Sequence, residues 1–190
     1  MGAVTQGTER RRVGRPRAAS RDLLEEAACE LFLERGYAAT SVADITSRAG
    51  VSRSTFFNYV EAKSDLLWAR FDDAVVALRA RLADGADVAE ALRELAAGLP
   101  AENVAMAFAQ GEAMGLGEEL RLAAVRRLAD VRDALTPALR AGGATPLVAR
   151  SRAGAYAGCL LAAVQEWSLA GAGRTDLVAL LDEAVRATLG

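Results

Sequence analysis

Histidine is absent from this 190-residue sequence, cysteine occurs only at Cys29 and Cys159, and ten residues are aromatic. With two thiols as the only soft ligands, a structural zinc site is excluded, and no metal is expected. Two cysteines make no disulfide framework, which fits a reducing, cytoplasmic setting. No apolar run is long and uninterrupted enough to span a membrane. The basic N-terminus lacks the apolar centre of a signal peptide. There is no nucleophile-and-base constellation and no glycine-rich phosphate loop, so neither an enzyme, a catalytic residue nor a cofactor is expected. No segment alternates with period two, which excludes a sheet, and no internal repeat is present. Net charge is only −2, which does not announce a nucleic-acid binder. Its distribution says more: residues 1–17 carry five arginines and one glutamate, whereas both 18–64 and 65–190 are net acidic. A basic arm on an acidic chain suggests local phosphate contact.

What is present is apolar helix pattern, organised around Thr40 to Asp65. Thr40 or Ser41 caps a first helix by accepting a first-turn amide, and Asp44 adds negative charge at its positive end. Val42, Ile45 and Ala49 share one face. Gly50 supplies a left-handed stop and Ser52 caps a second helix. Two short helices joined by a glycine turn make a helix-turn-helix, whose second helix enters the DNA major groove. Its early residues, Arg53, Ser54 and Thr55, suit base edges. Phe56 and Val60 face inward; Phe57, Asn58 and Tyr59 fall on outer faces, and Lys63 sits where a cation meets phosphate. A structural hairpin with a solvated polar face fits the same spacing.

Several motifs settle between these readings: Gly36-Tyr37, Thr40-Ser41-Val42, Asp44-Ile45, Ala49-Gly50-Val51-Ser52, Thr55-Phe56-Phe57-Asn58-Tyr59 and Lys63-Ser64-Asp65-Leu66-Leu67. In fixed register over some fifty residues they resemble the DNA-binding domain of tetracycline-repressor-like (TetR family) regulators. Val60 and Ala62 depart from that pattern, where a Phe and a small polar cap are common. The resemblance implies an all-α fold: an N-terminal three-helix helix-turn-helix domain plus a C-terminal helical ligand-binding and dimerisation domain. The domains are then a basic arm over 1–17, the DNA-binding domain over 18–64 and the larger domain over 65–190. Thr40, Ser41, Phe57, Tyr59 and Lys63 are expected on phosphates. Arg15 and Arg17, in a Gly-Arg-Pro-Arg arm, are expected in the minor groove.

Residues 20–35 form an amphipathic helix with Leu24, Ala27, Ala28, Leu31 and Phe32 on its stripe and Glu25, Glu26, Glu30 and Glu34 away from it. One helix is expected over 63–83, then helices near 87–98, 102–115, 118–140, 147–171 and 175–189, with Pro137 loosening the end of the 118–140 helix. Gly154, Gly158, Leu161 and Gln165 share a face of the 147–171 helix, and Leu177, Leu181 and Ala184 a face of the last. The two faces are expected to pair about a twofold axis into a four-helix homodimer interface on two DNA half-sites. Phe71, Met106, Phe108, Gln110, Met114 and Trp167 are the expected ligand pocket. With few aromatics after Phe71, it suits a flexible apolar or acyl molecule, and Ala155 to Trp167 faintly resembles relatives with an acyl-CoA-like ligand domain. The function expected is a repressor released from a palindromic double-stranded DNA operator by a small-molecule effector. An activator and a ligand-independent architectural DNA-binding protein remain alternatives.

Overall fold

A computed structural model describes residues 17–100, 117–171 and 174–190. Among these residues the chain is helical and contains no strand. The elements are α1 (Arg17–Arg35), α2 (Val42–Ala49), α3 (Arg53–Phe57), a 3-10 turn (Lys63–Leu67), α4 (Ala69–Ala83), α5 (Val88–Ala97), α6 (Gly117–Ala141), α7 (Pro146–Ala170) and α8 (Leu177–Leu189). The expected helix over 102–115, and Arg15, Met106, Phe108, Gln110 and Met114, lie outside the described residues, as does the side chain of Arg17.

Helix α1 buries its apolar stripe completely: Leu24, Ala28 and Phe32 have no exposed surface. Cys29 is buried too, and burial pushes its thiol up to about 12, so it fills space and stays protonated. Glu25 does not lie on the solvated face, as the helical pattern suggests; it is buried, and Arg21 reaches it at 2.9 Å and Arg70 at 3.2 Å.

The single helix expected over 63–83 is broken. A 3-10 turn carries Lys63–Leu67, and α4 starts only after Trp68, whose amide donates to the Asp65 carbonyl at 3.1 Å. The reason is burial: Leu66, Leu67 and Trp68 are all inside. Three consecutive side chains span too wide an arc for one face of an α-helix, and the tighter turn redirects them. Pro137, which the sequence suggests loosens α6, sits within a helix that continues to Ala141.

Helix α7 packs on α6 and α8, α4 packs on α5 and α6, and α5 meets α8. The buried residues form one cluster running from Leu24 and Phe56 through Trp68 and Phe71 to Leu160 and Leu181. The small N-terminal unit and the larger one therefore share an apolar interior.

Candidate nucleic-acid interface and effector cleft

The reading head is set by its caps. The Ser41 hydroxyl accepts from the Asp44 amide at 3.1 Å, and the Asp44 carboxylate accepts from the Ser41 amide at 2.8 Å. This reciprocal box starts α2, and the Ser41 bonds hold the Asp44 carboxyl below the usual carboxylate range. Gly50, at φ 65°, ends α2, and the Val51 amide closes back on Thr46 at 3.0 Å. Ser52 then starts α3 by accepting the Thr55 amide at 3.1 Å. Ile45 and Phe56, both fully buried, pin the two helices over α1.

This leaves Arg53 and Ser54 exposed and Thr55 half-buried at the start of α3. The Ser54 and Thr55 hydroxyls each lie 2.8 Å from Ser52 Oγ. The Arg53 guanidinium stands 5.6 Å from the ring centre of Phe57. That ring is half exposed and braced edge-on against Phe56. Asn58 is exposed and Tyr59 half-buried beside it. Helix α3 ends at Phe57, so Val60, expected on its inner face, lies beyond it and is half-buried.

Two residues expected on phosphates are placed otherwise. Thr40 is fully buried, and its hydroxyl donates to the carbonyls of Leu31 at 3.2 Å and Gly36 at 2.9 Å. Lys63 turns inward: its ammonium donates to the carbonyls of Tyr37 at 2.5 Å and Thr40 at 2.6 Å and lies 3.9 Å from the Tyr37 ring centre. Burial lowers its pKa. Both residues fasten the loop between α1 and α2 rather than face outward. Arg48 is also engaged, by Glu30 at 2.8 Å and Glu34 at 2.9 Å on α1. Among the described residues 40–63, Arg48 is held by carboxylates and Lys63 by backbone carbonyls, which leaves Arg53 as the cation held by neither. Ser41 is exposed but committed to its cap.

A narrow apolar cleft opens between α4, α6 and α7. Of the expected pocket residues, Phe71 lines this cleft; Trp167 is buried in α7 but does not. The lining also contains Trp68 and Arg127, which the sequence reading passed over. Arg127 was legible, because it interrupts the buried α6 stripe of Leu120, Ala124, Val131 and Ala134 at a core position. Its guanidinium donates to both Asp72 oxygens, at 2.8 and 2.7 Å, and lies 4.5 Å from the Trp68 ring centre. Burial raises the Asp72 carboxyl, against the pull of Arg127.

Asp72 belongs to the first turn of α4, where its neighbours face the other way. Arg70 pairs with Asp22 and Glu25 on α1, and Asp73 with Arg21 at 2.7 Å. The same turn thus clasps the reading head on one side and the cleft on the other.

The expected interface residues divide. A side chain added at Gly154 or Gly158 would meet nothing within 4 Å, and Gln165 is exposed, so these lie on an open face of α7. Leu161 turns to the cleft. Leu177 and Leu181 are buried within the subunit, and half-buried Ala184 presents its carbonyl to the Cys159 thiol. They belong to the interior, because α8 spends its apolar stripe on α5 and α7.

Among the described residues no group of His, Cys, Asp and Glu is arranged to hold a metal, and no helix is long and apolar enough to cross a membrane. Residues 24–69 match the family description "Bacterial regulatory proteins, tetR family". Over 71 residues the chain is 35% identical to the Mycobacterium tuberculosis protein MftR, named for transcriptional regulation of mycofactocin biosynthesis. That match covers 37% of this chain and 36% of MftR. The fold is similar to that of the fatty acid degradation regulator FadR from Bacillus halodurans. There the TM-score is 0.52 and the identity 24%, over 89% of this chain and 97% of that one. It is also similar to SmeT, the repressor of the Stenotrophomonas maltophilia multidrug efflux pump SmeDEF. For SmeT the TM-score is 0.50 and the identity 20%, over 88% and 89% of the two chains. These are transcriptional regulators, not enzymes.

Proposed function

We propose that this TetR-family transcriptional regulator binds a palindromic operator as a homodimer and leaves it when a small, largely apolar effector occupies the cleft between α4, α6 and α7. The observation that carries the reading is the start of α3. An unpaired arginine and an exposed serine stand at the end of a capped, rigidly packed helix-turn-helix, where base edges are read. Phe57, Asn58 and Tyr59 flank them toward the sugar-phosphate backbone. Arg15 and Arg17 remain the candidates for the minor groove.

The open face of α7 supports pairing of two copies. Leu147, Gly154, Gly158, Ala162, Gln165 and Leu169 recur at helical spacing along it, and Leu147 and Leu169 are 70% and 73% exposed. Two small residues four apart let partner backbones approach closely, and a twofold axis would set two reading heads for two half-sites. The clasped first turn of α4 supports effector control, because a change at the cleft acts on the element that also holds α1. An effector shifts the protein only as far as its affinities for the two arrangements differ.

The test is anisotropy of labelled DNA from the region upstream of the gene, competed by random DNA across a salt series, with mass measured by light scattering. Selective binding by a dimer is expected. Arg53→Ala should weaken specific binding by about 1–3 kcal/mol and random binding much less, as for a lost base contact. Equal losses on both would remove Arg53 from the reading role. Weak, equal binding to every sequence would favour the architectural alternative.

A further inference from the structure

Among the described residues that line the cleft, one is charged. Arg127 is 7% exposed and stands among Trp68, Phe71, Val131, Leu160 and Val164. A guanidinium cannot stay unpaired in such surroundings, and Asp72 is its counter-ion. The pair is lopsided: the Arg127 side chain is 9% exposed and that of Asp72 48%. The cation is fixed by the cleft walls, by Trp68 and by a bond to the Ala123 carbonyl at 3.3 Å. The anion has water to retreat into. It also has reason to leave, since Asp65 and Asp130 act on it with like charge. An anion arriving through the cleft can therefore replace Asp72 on Arg127, whereas an uncharged molecule offers the guanidinium an acceptor at most and no charge to replace that of Asp72.

The geometry points to an effector with an apolar body and one anionic head, a carboxylate, which takes Arg127 from Asp72. This rests on the reading of the cleft as the effector site. Exchange of the counter-ion unclasps the first turn of α4 from α6 and leaves its bonds to α1 through Arg70 and Asp73 in place. The reading head and α4 then move together, free of the cleft wall.

Straight-chain carboxylates from butanoate to dodecanoate, each compared with the alcohol of equal length, test this on the full chain. Trp167→Phe leaves Trp68, which stacks on Arg127, as the only tryptophan and the fluorescence reporter. At the best chain length the carboxylate should bind at least about tenfold tighter than its alcohol, as for a bond to a buried charge. Arg127→Met should abolish the difference while alcohol binding persists. Asp72→Asn should tighten carboxylate binding and leave the alcohol unchanged, because it removes a competitor. If Arg127→Met does not fold by circular dichroism, Asp72→Asn decides alone. Equal binding of acid and alcohol at every length, absence of both included, overturns the assignment, as does weaker carboxylate binding by Asp72→Asn. DNA release is read in parallel. Carboxylates that bind in the expected pattern without releasing DNA support the head-group assignment and overturn effector control. Release by alcohols alone does the reverse.

Discussion

Lys63→Met removes an ammonium and keeps its stem. The ammonium donates to two carbonyls, of Tyr37 at 2.5 Å and Thr40 at 2.6 Å, and faces the Tyr37 ring at 3.9 Å. A hydrogen bond to a charged group contributes about 1.5–3 kcal/mol. Lys63 is only half-buried, so water recovers part of both bonds. A net loss of about 2 kcal/mol follows from that discount. For a chain of this size it lowers the melting temperature by about 4–8 °C. Calorimetry reads the first quantity, and the salt dependence of DNA binding, well below the transition, reads the second. A lysine that neutralises a phosphate would reduce the slope of log affinity against log salt by about 0.9. The inward ammonium predicts almost no change in slope. A variant with wild-type melting and a slope reduced by about 0.9 would refute the inward placement and return Lys63 to the DNA surface.

Other expected outcomes concern the turn, the carboxylates and the open face of α7. Gly50→Ala meets no atom within 4 Å, yet it places a side chain at φ +65°, so calorimetry should show a loss of about 1–2 kcal/mol. Gly98→Ala, at φ −84°, is the near-neutral control. Asp44, Glu34 and Glu94 are held below the usual carboxylate range by bonds from Ser41, Arg48 and Arg81 respectively. Folded values below unfolded ones give stability that is present above about pH 4 and lost as pH falls further. Asp72, which is raised, works in the opposite sense but stands alone against three. Melting temperature should thus fall on acidification from about pH 5 to pH 3, and a rise would contradict these ion pairs. Gly158→Arg enters open space in the single subunit, so sedimentation should show monomers whose helix content is unchanged. Intact dimers would move the interface elsewhere.

The helix-turn-helix was legible in the sequence because its signals are local. A serine three residues before an aspartate, a glycine stop and a second serine fix both helix starts whatever packs around them. Ile45 and Phe56 followed from periodicity. Thr40 and Lys63 were not legible. A hydroxyl or ammonium beside a DNA-reading helix has the same sequence signature whether it meets phosphate or the protein's own carbonyls. Leu177 and Leu181 failed for a related reason: an apolar stripe records that something covers it, not whether the cover is the same chain or another. Glu25 obeyed the helical pattern and still became buried, since its partner Arg70 lies 45 residues away. The break at Trp68 came from three consecutive buried side chains, which periodicity alone does not reveal as a change of helix type. Arg127 was the opposite case, a cation at a core position that announces a counter-ion beside it.

The shared apolar interior makes the cleft and the reading head one thermodynamic system. Leu24 of α1 and Leu160 of α7 belong to the same buried cluster, through Trp68 and Phe71. Opening one end exposes the other, so the chain should melt in a single transition. Any molecule that fills the cleft then protects the reading head from unfolding and proteolysis, even while it lowers affinity for DNA. At one hundred times its dissociation constant that protection is about 2.7 kcal/mol, or several degrees of melting temperature. A thermal-shift screen of the chain alone, without DNA, is therefore sufficient to find its effectors.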